Sequence, residues 1–106
     1  MTSDALGLIG LAQRAGRCVS GAELCEKAIR EGGARLLLID SEASEATAER
    51  FRSLAGTMGI RTLTIPGVGR AIGREDRRVC AVMDKGFADA IYDKGNLNKP
   101  GGVVKE

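Results

Sequence analysis

The chain has no histidine and no tryptophan, and only one tyrosine, two phenylalanines and two prolines in 106 residues. Without histidine it lacks the commonest general base at neutral pH and the commonest metal-binding side chain. It also has no G-x-S-x-G elbow and no Cys-His pair, which excludes nucleophilic catalysis of those kinds. The three cysteines, Cys18, Cys25 and Cys80, match no zinc-ligand spacing, and an odd number does not make a disulfide framework. They read as reduced, mostly buried thiols of a cytoplasmic protein. No apolar run approaches the roughly 20 residues needed to span a bilayer. The opening Thr2-Ser3-Asp4 lacks the basic region of a signal peptide, so neither membrane insertion nor secretion is expected.

What remains fits one compact domain with enough apolar content for a core. Sixteen Lys and Arg against fourteen Asp and Glu leave a formal charge of +2, too mild by itself to announce a nucleic-acid binder. The distribution is more informative. Residues 1–53 carry seven basic and eight acidic side chains, whereas residues 54–106 carry nine and six, with Arg61, Arg70, Arg74, Arg77 and Arg78 grouped along the chain. Arginine outnumbers lysine by eleven to five, and a planar guanidinium suits bidentate contacts to phosphate and guanine.

Hydrophobic periodicity supplies the elements. Ala5, Leu8, Ile9, Ala12 and Ala15 recur at helical spacing, with Ser3 or Asp4 as N-cap and Gly16 as stop. Arg17–Val19 is a short strand. A second helix opens at Ser20-Gly21, buries Leu24, Cys25, Ala28 and Ile29, and stops at Gly32-Gly33. The continuous run Leu36–Ile39 predicts a strand covered on both faces. A third helix starts near Ser44 and buries Ala48, Phe51, Leu54, Ala55 and Met58. Ile60–Ile65 is a strand closed by Pro66, Val68–Ile72 a short helix, Val79–Met83 a last buried strand and Phe87–Tyr92 a final helix. This alternation predicts an α/β fold, a three-layer α/β/α sandwich with a mixed sheet of about four strands. The domain is assigned to residues 1–93, and residues 94–106, rich in Gly, Pro and Asn, to a weakly ordered tail.

Three features invite a chemical reading. Gly67-Val68-Gly69-Arg70-Ala71-Ile72-Gly73 follows a strand and enters a helix as a dinucleotide loop would, but its third glycine falls one residue late for G-x-G-x-x-G and Pro66 separates strand from loop. A turn and short helix is the better account. Asp40 and Asp84 follow strands, where open α/β sheets place ligand sites, yet capping aspartates occupy the same positions, and capping or turn formation is preferred. Helix two has two readings. Glu23 with Lys27, and Glu26 with Arg30, are spaced as surface ion pairs. Alternatively, Gly21 lets a phosphate approach the free N–H groups at the helix start while Lys27 reaches a guanine edge from the next turn. On spacing alone, surface pairing is the simpler account.

Several blocks in order tip that balance. Leu8-Ile9-Gly10-Leu11-Ala12-Gln13-Arg14-Ala15-Gly16, Val19-Ser20-Gly21 through Lys27-Ala28-Ile29 and Gly32, Val68-Gly69-Arg70-Ala71-Ile72-Gly73, and Val82-Met83-Asp84-Lys85-Gly86-Phe87-Ala88 together span most of the chain. In order and spacing, residues 6–91 resemble the bacterial YlxQ-like branch of the kink-turn-binding ribosomal protein superfamily, whose archaeal representative is the large-subunit protein L-seven-Ae. The resemblance implies a protein without catalysis, metal or cofactor that binds structured RNA, ribosomal RNA included, through the start of helix two and the loop before the last strand. On this chain those surfaces are Ser20, Gly21, Glu23, Lys27 and Arg30, and Arg74, Arg77 and Arg78. Gly21, Glu23 and Lys27 match members of the family's G-x-N-E-x-x-K motif, and Arg74-Glu75-Asp76-Arg77-Arg78 matches the loop over a flipped-out nucleotide.

Three positions depart from that pattern: Glu23 replaces the motif's Asn, Leu24 its acidic neighbour, and Arg74 a usually apolar loop contact. A carboxylate accepts hydrogen bonds from guanine but donates none, and extra arginines add salt-sensitive phosphate contacts. The alternative from another class is a protein-interaction module that kept the fold and lost RNA binding, with a ribosomal or other protein as partner. It predicts that Glu23, Glu26 and Glu31 interrupt the basic surface or that an apolar patch is exposed beside it.

Overall fold

The computed structural model describes residues 2–97, and their order is α1 (Thr2–Arg14), β1 (Cys18–Ser20), α2 (Ala22–Arg30), β2 (Leu36–Asp40), α3 (Glu45–Thr57), β3 (Thr62–Ile65), α4 (Val68–Ala71), β4 (Val79–Val82) and α5 (Lys85–Leu97). The four strands form one mixed sheet in the order β1-β4-β2-β3. β4 is antiparallel to both β1 and β2, in registers that set Cys18 and Leu36 opposite Val82, while β2 runs parallel to β3 with Leu38 opposite Leu63. The predicted sandwich is therefore the observed architecture.

Alternation along the strands divides the apolar side chains between two cores. Leu36, Leu38, Leu63, Cys80 and Val82 face α1, α4 and α5, where Ile9, Val68 and Ile91 meet them. Leu37, Ile39, Val79 and Ala81 face the opposite way and are covered by Cys25 and Ile29 of α2 and by Phe51 and Ala55 of α3. The run Leu36–Asp40 is buried at every position, as expected for a strand with a helix layer on each side.

Several local expectations shift. α1 begins at Thr2, so Asp4 lies in its first turn, where a carboxylate favours the helix dipole, and neither Ser3 nor Asp4 is the cap. β1 runs from Cys18 to Ser20, with Arg17 exposed just outside it. Leu24 is 53% exposed and Met58 42%, although both have helical spacing, because Leu24 sits on the flank of α2 and Met58 follows the last turn of α3. Ala15, one residue past α1, is exposed as well. Ser44 does start α3, its hydroxyl accepting from Thr47 N–H at 3.1 Å. The last helix continues to Leu97, so the expected boundary at residue 93 falls inside α5, and the remainder of the assigned tail lies outside the described residues.

Candidate nucleic-acid interface

The sheet has two ends, and the candidate residues gather at one of them. β1, β2 and β3 finish there at Ser20, Asp40 and Ile65, and the antiparallel β4 begins there after Arg78. Gly21 N–H donates to Val79 carbonyl at 3.1 Å, joining the start of α2 to the start of β4. Asp40 N–H donates to Arg78 carbonyl at 2.8 Å, joining the same loop to the end of β2. Two segments far apart in sequence thus form one surface.

Gly21 is the N-cap of α2 with φ 91° and ψ 153°, a conformation that only glycine adopts without strain. Its carbonyl accepts from Cys25 N–H at 3.0 Å, and no side chain caps the helix, so the first-turn N–H groups of Ala22, Glu23 and Leu24 stay open. The space a Cβ would take is filled by Arg77: an ideal Cβ on Gly21 would stand 2.9 Å from its Nη1. A guanidinium therefore lies across the positive end of a helix, and its Nε is buried without a hydrogen-bond partner. Both charges are of the same sign there, an arrangement that an anion relieves. Beneath this cap the Cys25 thiol is pushed up to about 12, chiefly by burial, and stays protonated.

Along α2, Glu23 and Lys27 are exposed on the face opposite the core, and among the described residues neither makes an ion pair. Of the two surface pairs suggested by spacing, one forms: Arg30 Nε donates to Glu26 at 3.0 Å, and Glu26 is held from the other side by Arg50 of α3. Arg30 is thereby tied down, while Lys27 keeps its charge free. Glu26, balanced twice over, does not break the basic surface, whereas exposed Glu23 and Glu31 and the apolar Leu24 border it.

The loop from Arg74 to Arg78 is folded back on itself. Arg77 N–H donates to Arg74 carbonyl at 2.9 Å, and Arg74 N–H reaches Gly69 carbonyl at 2.8 Å. Arg78 Nη1 donates to the carbonyl of Glu75 at 2.9 Å and of Arg77 at 3.4 Å, clasping the loop from inside. Arg74 is exposed on its outer side. A cavity of about 420 Å³ opens beside it, lined by Asp40, Glu42, Pro66, Arg70, Glu75 and Arg78 among others.

Of the residues that the resemblance assigned to the site, Gly21 and Arg77 are brought into contact and Arg78 follows in the same loop, while Ser20 is half-buried in β1 opposite Cys80. Sequence reasoning did not foresee that cavity or the part of Arg70 and Glu42 in lining it; the only signal was Pro66-Gly67 turning the chain back after β3. Arg61, grouped with the other arginines along the chain, lies at the opposite end of the sheet, before β3. Asp84 is a capping residue and Asp40 a turn residue, the capping or turn roles preferred for them. Asp40 is buried, its two oxygens accepting from Glu42 N–H at 2.8 Å and Val68 N–H at 3.0 Å, so it starts α4 and holds the turn after β2. Asp84 accepts from Phe87 N–H at 2.9 Å at the head of α5.

Comparison with known proteins supplies the family. Residues 3–92 match the Ribosomal protein L7Ae/L30e/S12e/Gadd45 family. The chain belongs to it. Over 79% of its length it is 38% identical to RNA-binding protein YlxQ of Bacillus subtilis (strain 168), covering 87% of that protein. The same share is 31% identical to RNA-binding protein YlxQ of Enterococcus faecium, covering 84% of it. These relatives place it in the bacterial YlxQ-like branch. Among solved structures, a protein of unknown function from Bacillus halodurans C superposes with a TM-score of 0.78 at 32% identity, over 84% of this chain and 93% of that one. The Giardia lamblia 15.5kD RNA binding protein superposes with a TM-score of 0.73 over 91% of this chain and 88% of its own, at 19% identity, a likeness of fold.

Proposed function

We propose that this chain is a non-catalytic cytoplasmic RNA-binding protein that recognises kink-turn-like structured RNA, ribosomal RNA included, through the start of α2 and the Arg74–Arg78 loop. The observation that carries this reading is the stacked pair of positive groups at Gly21: open N–H groups of a helix start with Arg77 lying over them. A phosphate satisfies both at once. Lys27, exposed and without an ion pair among the described residues in the second turn of the helix, then addresses a guanine edge, with Glu23 accepting from the guanine N–H groups. An undistorted A-form duplex hides its base edges in a deep, narrow groove, so such a helix reads guanines only where the RNA kinks and opens that groove. A nucleotide turned out at the kink meets Arg74 and the cavity beside the loop. Both YlxQ relatives are RNA-binding proteins by name, which points the same way.

The test compares a kink-turn RNA with a matched straight duplex across a salt series, for wild type and Lys27→Ala. The expected result is a preference for the kink that Lys27→Ala reduces by about 1–3 kcal/mol, with little change on the duplex. Equal affinity for both RNAs with a steep salt slope would leave only arginine electrostatics. Exposed Leu24, on the flank of α2 next to Glu23, favours the protein-interaction reading, and absence of binding to either RNA would select it.

A further inference from the structure

Each of the three strands that run in one direction is entered through an arginine: Arg17 before β1, Arg35 before β2 and Arg61 before β3. β4 runs the other way and finishes among them. Backbone hydrogen bonds fix the row, with Met83 N–H donating to Arg17 carbonyl at 2.7 Å, Arg35 N–H to Val82 carbonyl at 2.8 Å and Leu37 N–H to Arg61 carbonyl at 2.9 Å. With strands spaced about 4.8 Å and ordered β1-β4-β2-β3, Arg17 and Arg35 start about 10 Å apart and Arg61 about 5 Å further on. This end of the sheet is opposite the start of α2.

We propose that this arginine row is a second RNA contact, gripping the phosphate backbone of a segment other than the one held at the start of α2. Arg17 and Arg35 are exposed and, among the described residues, make no ion pair, so internal pairing does not account for their charge. Arg61 and Lys85 extend the row, and both are anchored by Asp89, at 2.6 Å each. Arg61 also lies over the Tyr92 ring at 4.6 Å, which fixes its guanidinium without neutralising it. Arg35, Arg61, Lys85 and Asp89 line an open groove of about 490 Å³. Arg17, Arg35, Arg61 and Lys85 stand there against Asp89, the capping Asp84 and Glu31 at the end of α2, and of the four cations Arg61 and Lys85 also hold β3 to α5 through Asp89.

A polyphosphate chain fits such a strip better than a protein surface does. Protein interfaces are centred on buried apolar and aromatic anchors, and here the Tyr92 ring is covered by Arg61 and the exposed apolar side chain beside Arg35 and Arg61 is Met58. Guanidinium groups spread over about 15 Å meet successive phosphates without base contacts, a grip blind to sequence. Because the two basic ends point in opposite directions across a molecule of 33 × 28 × 25 Å, they hold two RNA segments apart. The inference rests on the proposed function for the class of ligand only, since the two ends share no residue.

The experiment is capture. A kink-turn RNA is immobilised, the protein is added, and a labelled straight duplex of about 20 base pairs, long enough to cover the row, is offered as second ligand. Wild type, Arg17→Gln/Arg35→Gln and Lys27→Ala are compared, with circular dichroism melts confirming that each is folded. Wild type is expected to retain the duplex. The double variant is expected to lose about tenfold in duplex capture and about two units of salt slope, with kink-turn affinity unchanged. Duplex capture by the double variant equal to wild type overturns the inference. So does absence of capture by wild type, the result expected if an acidic protein is what this end binds. If the kink-turn RNA fails to bind but free duplex binding still falls in the double variant and not in Lys27→Ala, the proposed function fails while the second contact stands.

Discussion

Gly69 has no room for a side chain. A Cβ there would lie 2.6 Å from the carbonyl oxygen of Arg74, 2.8 Å from that of Arg77 and 3.2 Å from that of Glu75. The Arg74–Arg78 loop is wrapped around this one residue, so the glycine is required by close approach. Gly69→Ala is expected to destabilise the fold by about 1–3 kcal/mol, as other overpacked sites do, and to displace the loop. Urea denaturation measures the first effect and kink-turn affinity the second; a variant as stable as wild type would show that the loop yields freely. Gly21 differs, because what demands glycine there is its positive φ, while the overlying Arg77 is a flexible side-chain end that can move aside. The Gly67–Gly73 run was legible in the sequence as a turn and short helix, but which glycine is indispensable was not, since the groups that crowd Gly69 come from residues five to eight positions later in the chain.

At the scale of elements, helix and strand types were readable and their ends were not. α5 was expected to stop at Tyr92, with the Gly-, Pro- and Asn-rich residues beyond it assigned to a tail. It runs on because Gly95 is buried directly against Leu63 of β3, and a larger residue would hold the helix off the sheet. Arg61, Lys85 and Asp89 then bind the start of β3 to the first turns of α5. Lys85 first and Arg61 second hold the Asp89 carboxyl below its ordinary value of 3.8. Because the folded state lowers this value, the stabilisation is complete above 3.8 and is lost as the pH falls below it. Thermal melts of wild type and Asp89→Asn are therefore expected to differ at neutral pH and to converge as the pH falls well below the ordinary carboxylate value, by a modest margin because the pair is exposed to solvent. A difference that persists in acid would assign the effect to something other than the carboxylate charge.

For the molecule as a whole, one sheet carries two cores that share every strand residue's neighbours through the backbone. Phe51 is the largest fully buried side chain and belongs to the α2–α3 side. Phe51→Ala is expected to cost about 3–5 kcal/mol. In a single cooperative domain of this size, hydrogen exchange should accelerate on α1 and α5 as well as on α3. Protection retained on the α1–α5 side would show that the two layers unfold separately.

The amino-acid sequence by itself determined the layer order, the central position of Leu36–Ile39, the local roles of Asp40 in the turn after β2 and of Asp84 at the head of α5, and the family blocks that mark the start of α2 and the loop before β4. Those follow from local spacing and residue type, which are properties of short segments. Only the tertiary structure decided that Arg77 lies on Gly21, that Arg30 is occupied by Glu26 while Lys27 is free, and that Arg61 leaves its sequence neighbours for the other end of the sheet. The reason is strand direction. β1, β2 and β3 run one way and β4 the other, so residues distant in sequence share an end, and arginines only nine residues apart in the chain, Arg61 and Arg70, stand at opposite ends of the sheet.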